Sequence, residues 1–229
     1  MDSQEILNMS NTEKKNLLAI DDLLDDLDGI INWAIRYKND VSIHQDFKPL
    51  EGMSIGSIYE KPSTRTRVSF EVGVSRLGGQ PLTLLANDIQ LGKSESIGDT
   101  AAVFSRFLDG ITYRCFGHAD VEELARTATV PVINALSDLH HPCQSAADLM
   151  AIRELANSEG HIAWVGDGNN VFHDLALAAL ALGYDVKYAT PVGMEPDSNV
   201  LSRCEIIASK TGSKICLLYT SDAADESRG

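Results

Sequence analysis

A chain of 229 residues with 44% hydrophobic content has enough apolar material for one large or two small domains and is not composed like a disordered segment. Its formal net charge of -14 argues against nucleic acid as a partner, because a polyanion is bound by a basic surface. Cys115, Cys143, Cys204 and Cys216 form no C-x-x-C pair and no zinc-type Cys/His spacing, so reduced, mostly buried thiols and no metal site are expected.

The acidic start, Met1 to Thr12, has neither an apolar signal region nor an arginine-rich transit pattern. The longest apolar stretch, Val171 to Leu182, is interrupted by His173 and Asp174 and is too short to span a bilayer. A cytoplasmic location without membrane contact is the expectation.

Asp21 to Tyr37 carries apolar residues at Leu23, Leu24, Leu27, Ile30, Ile31 and Ala34, the spacing of an amphipathic scaffold helix. Ile55 to Tyr59 reads as a strand, and a helix follows Ser63 and ends at Gly78-Gly79. Pro81 to Leu85 is a strand, Asn87 to Gly98 a loop, Asp99 to Leu108 a helix and Ile111 to Cys115 a strand. Glu122 to Thr127 (helix), Pro131 to Ala135 (strand) and a helix from about Ser145 to Leu155 complete the first half. A second unit begins near Gly160, with strand His161 to Val165, the turn Gly166-Asp167-Gly168-Asn169-Asn170, helix Val171 to Leu182 and strand Asp185 to Ala189. This β-α repetition predicts an α/β fold with mainly parallel sheets flanked by helices.

The run Ser63-Thr64-Arg65-Thr66-Arg67 concentrates three hydroxyls and two guanidinium groups where a helix begins. A helix start offers unpaired N–H groups and partial positive charge, and arginine presents a fork of donors matched to phosphate oxygens. The pattern therefore reads as an anion site, against an ordinary polar cap with solvated arginines as the plainer alternative. In parallel sheets ligands bind at the carboxyl ends of strands. Ser63, Arg114 and His141 each fall at or just after such an end.

The glycine-containing turn at Gly166 invites a dinucleotide-binding reading. G-x-G-x-x-G would need glycine at position 171, where Val171 stands, and an acidic residue about 20 residues on (Asp185) is a weak signal by itself.

Ser63 to Arg67 followed by V-S-F-E resembles the carbamoyl phosphate motif of the aspartate and ornithine carbamoyltransferase family. Glu95-Ser96 with Asp99-Thr100 fits the same family. His141-Pro142-Cys143-Gln144 and Gly166 to Asn170 resemble its ornithine branch. The likeness runs in order from about Leu17 to Ile215. It implies two doubly wound parallel-sheet domains: a carbamoyl phosphate-binding domain at 1–150, a partial ornithine-binding domain at 151–215, and a tail at 216–229 that departs from the family and is expected to be disordered.

The activity implied is transfer of the carbamoyl group of carbamoyl phosphate to the δ-amino group of ornithine, giving citrulline and phosphate. No cofactor is implied, because the donor arrives activated. Ser63, Thr64, Arg65 and Thr66 match the phosphate-binding loop. Arg114 matches an arginine reaching phosphate and carbonyl oxygen, His141 a donor to that oxygen, and Gln144 an acceptor from the carbamoyl NH2. Gln90 matches a carbamoyl phosphate contact delivered by a neighbouring subunit of a homotrimer, and Asn170 an ornithine contact. The family's later D-x-W-x-S-M-G and H-C-L-P segments are absent, so impaired turnover is expected. Another amine acceptor (aspartate, putrescine or acylated ornithine), or binding of a phosphate metabolite without catalysis, is the alternative. Arg67 is expected to pair with Glu71. His118 and His173 are read as surface or packing residues, Cys143 as packing and His140 as a neighbour without a role, and Lys93 stays open.

Overall fold

A computed structural model describes residues 14–91, 94–155 and 160–218. Lys93 and residues 219–229 of the expected tail therefore lie outside the described residues.

A 3-10 turn at Ile20–Leu23 leads into α1 (Leu24–Asn39). Asp25 and Asp26 in the first turn of α1 and Arg36 and Lys38 in its last complement the helix dipole. A short α2 (Ile43–Asp46) precedes β1 (Ser54–Tyr59), α3 (Arg65–Arg76), β2 (Gln80–Leu85), α4 (Ile97–Phe104), β3 (Gly110–Arg114), α5 (His118–Thr127), β4 (Val132–Leu136) and α6 (Pro142–Leu155). The second unit contains β5 (His161–Val165), α7 (Asn170–Ala181), β6 (Asp185–Ala189), α8 (Ser198–Thr211) and β7 (Ile215–Leu217).

Both sheets are parallel. The first has the order β2-β1-β3-β4 and the second β5-β6-β7. In the first sheet the chain moves outward from β1 to β2, then returns to place β3 on the other side of β1. The β1/β3 junction is thus the topological switch point, where a crevice opens beyond the strand ends. Tyr59 pairs with Arg114 there, and the register shifts at Tyr113/Arg114 so that Arg114 pairs with Leu136. Such an irregularity re-aims a side chain at a sheet's rim.

Among the described residues two apolar clusters form the core. One lies within the first unit around Ile58, Ile111, Tyr113, Leu124 and Val132. The other joins Ile20, Leu27 and Ile31 of the amino-terminal segment and Leu149 of α6 to Phe172 through Leu180 of α7 and to Val186, Val200 and Cys204. Helix α7 is buried on every side over Phe172–Leu180, so α1 and α6 clamp the second unit onto the first.

The structure changes several sequence expectations. Helix α6 starts at Pro142 rather than near Ser145, since proline is pre-organised for the first helical position, where its missing N–H costs nothing. It continues to Leu155, so a boundary drawn at 150/151 falls inside a helix. Helix α4 starts earlier than Asp99 because Ser96 caps it, its hydroxyl accepting from the Asp99 N–H. Cys216 and Leu217, assigned to the tail, pair with Lys187 and Tyr188 as part of β7.

Candidate functional site

Thr64 is the N-cap of α3, yet no side chain caps the helix and its first turn holds no acidic residue. Its first intrahelical bond runs from the Val68 N–H to the Thr64 carbonyl. The N–H groups of Arg65, Thr66 and Arg67 are therefore left for an anion. Helix α7 differs: Asn169 accepts from both Val171 N–H and Phe172 N–H. A Cβ at Gly168 would collide with Pro196, so that turn is closed by its own chain. These two facts remove the space and the donors a dinucleotide phosphate needs, and they agree with Val171 breaking the motif.

A cavity of about 660 Å³ opens at the switch point, lined in part by Ser63, Thr64, Arg65, Thr66, Arg114, His141 and Gln144. Seven of the nine residues singled out in the sequence as site residues thus meet around it. Arg114, at the end of β3, reaches Thr66 Oγ1 with Nη1 at 3.4 Å, and its Nε is buried without a partner. Burial lowers its pKa. An arginine so placed has donors in hand for an incoming oxyanion.

His141 lines the same cavity, and its Nδ1 is buried without a partner. Burial, then the nearby Arg114 charge, hold its pKa down at about 4. At neutral pH the ring is uncharged, so it can donate a hydrogen bond without opposing Arg114. Gln144 sits in the first turn of α6 and donates through Nε2 to Asp148 Oδ1 at 2.8 Å. A carboxylate can only accept, so the amide is held with Oε1 turned away from Asp148 as a free acceptor.

Asn170 and Gln90 stand apart from the cavity lining. Asn170 opens α7 beside Val171, which does line the cavity, and donates through Nδ2 to the Ser137 carbonyl at 2.6 Å. Gln90 is exposed on the loop before α4, where Ser94 Oγ donates to its Oε1 at 3.1 Å. Arg67 Nε pairs with Glu71 Oε1 at 3.0 Å, as its spacing predicts. Cys143 packs against Asn134, and burial pushes its thiol up to about 12, which makes it inert.

Sequence reasoning missed two groups. Asp148 lies one helical turn beyond Gln144, but a helix expected to start only near Ser145 left Gln144 outside it. His140 was read as a neighbour without a role; it is 2% exposed, and its Nδ1 bonds Asp174 Oδ1 at 2.7 Å. Among the described residues no group of His, Cys, Asp and Glu could hold a metal ion, and no helix is long and apolar enough to cross a membrane.

Fold and site together define an α/β protein with a donor-lined cavity at the switch point of a parallel sheet. Residues 15–154 match the family model described as aspartate/ornithine carbamoyltransferase, carbamoyl-P binding domain, and residues 158–227 match that of the Asp/Orn binding domain. The chain belongs to the aspartate/ornithine carbamoyltransferase family. It is 44% identical to an ornithine carbamoyltransferase of Bacillus cereus over 213 residues, covering 92% of this chain and 66% of that protein. It is 47% identical to one of Methanothermobacter thermautotrophicus over 216 residues, covering 94% and 70%. The ornithine carbamoyltransferase structure from Pyrococcus furiosus superposes with a TM-score of 0.85 at 45% identity, covering 90% of this chain and 67% of that one. The anabolic enzyme of Campylobacter jejuni gives 0.83 at 33% identity. The chain thus spans about two thirds of the length of these relatives. The match over 158–227 also runs through most of the segment that the sequence reading set apart as a tail.

Proposed function

We propose that this chain binds carbamoyl phosphate and is part of an ornithine carbamoyltransferase, which makes citrulline and phosphate in arginine metabolism. The observation that carries this reading is the convergence of four donor and acceptor types on one cavity: the uncapped start of α3, Arg114, the neutral His141 and the freed Oε1 of Gln144. The relatives' names favour ornithine over aspartate or another amine.

In this reading the N–H groups and side chains of Ser63, Thr64, Arg65 and Thr66 hold the phosphate, and Arg65 and Arg114 offset its charge. Gln144 Oε1 accepts from the carbamoyl NH2 and fixes the plane of the carbonyl. His141 and Arg114 donate to the carbonyl oxygen. The δ-amino lone pair of ornithine forms the new C–N bond, and negative charge builds on that oxygen, where donors stabilise it most. The bond from carbon to the phosphate oxygen then breaks. Its electron pair leaves with phosphate onto the helix start, and the proton lost by the amine passes to the departing phosphate. The chain's part is positioning and charge stabilisation, and no cofactor enters.

Asn170 is assigned to ornithine. Its Nδ2 is committed to Ser137, which leaves Oδ1 to accept from an amine. Gln90 is assigned to the site of an adjacent copy in a homotrimer, which accounts for its distance from the cavity of its own chain. The setting is cytoplasmic.

The test is titration with fresh carbamoyl phosphate by calorimetry, followed by product analysis with ornithine and with aspartate. Saturable donor binding displaced by inorganic phosphate, with citrulline as the product, is expected. Absence of donor binding overturns the reading of the cavity, and carbamoyl-aspartate as the product overturns ornithine as acceptor. Sedimentation at increasing concentration tests the trimer.

A further inference from the structure

Asp174 is a fully buried carboxylate that the chemistry above does not use. It lies on α7 among apolar residues, where an unpaired charge would be costly. Its partners come from elsewhere in the chain. Oδ1 accepts from the Ile20 N–H at 3.3 Å and from His140 Nδ1 at 2.7 Å, and Oδ2 accepts from the His141 N–H at 2.5 Å. On its far side, His140 Nε2 faces Arg203 Nη2 at 3.2 Å, and Arg203 Nη1 donates to Asp21 Oδ2 at 2.8 Å. Arginine can only donate, so Nε2 of His140 must accept and Nδ1 must carry the proton towards Asp174. A connected network therefore runs from Asp21 to the main chain of His141: Arg203 donates to both Asp21 and His140, and Asp174 accepts from both His140 and the His141 N–H.

We infer that Asp174, with His140 as its oriented donor, is a positioning residue that holds His141 at the cavity from the second unit. This rests on the reading of the cavity as a carbamoyl phosphate site. The segment between β4 and α6 is tied at several points: the Ser137 carbonyl accepts from Asn170 Nδ2, the Leu139 carbonyl from His173 Nδ1, the His140 carbonyl from Asn134 Nδ2 and the His141 carbonyl from the Gln144 N–H, whereas the His141 N–H has Asp174 as its acceptor. The Ser137 N–H bonds the His140 carbonyl, and the rings of His118 and His173 flank His140 at centroid distances of 4.9 Å and 6.4 Å. The His141 ring itself makes no bond through its buried Nδ1. Its place is therefore set through its main chain, and the Asp174 carboxylate accepts from that main-chain N–H. The phosphate cradle at the start of α3 is built wholly within the first unit and does not pass through Asp174. A positioning role therefore predicts loss of carbamoyl recognition with phosphate recognition intact.

The experiment uses the full chain with Asp174→Asn, and Arg203→Met as a second variant that enters the network from its half-exposed end. An asparagine cannot accept from both the His141 N–H and His140 Nδ1 without turning its own NH2 towards one of these donors. Calorimetry with carbamoyl phosphate and, separately, with inorganic phosphate is paired with nitrogen-15 spectra of the His140 ring and the His141 amide. Asp174→Asn is expected to weaken carbamoyl phosphate about tenfold, the scale of one charge-assisted hydrogen bond, and to leave inorganic phosphate unchanged. The His141 amide proton is expected to move upfield in the same variant. Arg203→Met is expected to shift the His140 Nε2 resonance, because Nε2 loses its donor while Asp174 keeps the proton on Nδ1, and to weaken carbamoyl phosphate selectively. Equal loss of both ligands in a folded variant, or loss of neither, overturns the proposal. If the unaltered chain does not prefer carbamoyl phosphate to phosphate, the reading of the cavity fails. The two spectral signatures then still decide the positioning chain: unchanged His140 and His141 signals overturn it.

Discussion

Gln144 Nε2 donates to Asp148 Oδ1 at 2.8 Å along the first turns of α6, and this bond decides which end of the Gln144 amide faces the cavity. Removing the carboxylate lets the amide turn over. Asp148→Ala is expected to weaken carbamoyl phosphate several-fold, about the worth of one hydrogen bond, with inorganic phosphate binding unchanged. Calorimetry with the two ligands checks this.

The two arginines of the α3 start should separate cleanly. Arg65 lines the cavity, whereas Arg67 is bound to Glu71 at 3.0 Å. Glu71 is held below the usual carboxylate range by its bonds from Thr83 and Arg67. Arg67→Ala is expected to leave phosphate affinity nearly unchanged. Arg65→Ala should weaken it about tenfold or more, as charge-assisted hydrogen bonds to an anion do. Phosphate titrations on both variants provide the comparison.

Stability should depend on pH through His141. Its pKa falls from 6.5 to about 4 on folding, so between those values the unfolded chain binds more protons than the folded one. Stability then rises with pH across that window and levels off above it. His118 and His173 are also lowered by burial and contribute in the same direction. Urea unfolding between pH 4 and 7 should show the slope, and His141→Asn should reduce it. An unchanged slope in that variant would contradict the burial argument.

Helix α7 joins the two units, so its core should fail as one piece. Leu177 is fully buried between them. Leu177→Ala is expected to cost about 2–5 kcal/mol and to shift a single unfolding transition rather than one of two. Denaturant titration followed by both fluorescence and circular dichroism tests this.

The alternation of strands and helices was legible because apolar periodicity switches between two residues and 3.6. The grouping of Ser63–Thr66 at one edge of the cavity was legible because these residues are local to one turn. What was not legible depended on position within a helix or on contacts far apart in sequence. Pro142 reads as a break until it is seen at the first helical position. Only then do Gln144 and Asp148 fall on one face. The pairing of His140 with Asp174 spans 34 residues and two units, and no local pattern announces it. Helix α8 had signals that went unread: Asp197 caps its start and Gly212, at a φ of 80°, ends it.

The most direct test of the central claim is calorimetric titration of the unaltered chain and Arg65→Ala with carbamoyl phosphate. Saturable binding by the former, weakened about tenfold or more in the latter, is the predicted result. Equal affinity in the two proteins, or no binding by the unaltered chain, would contradict the assignment of this cavity to the carbamoyl donor.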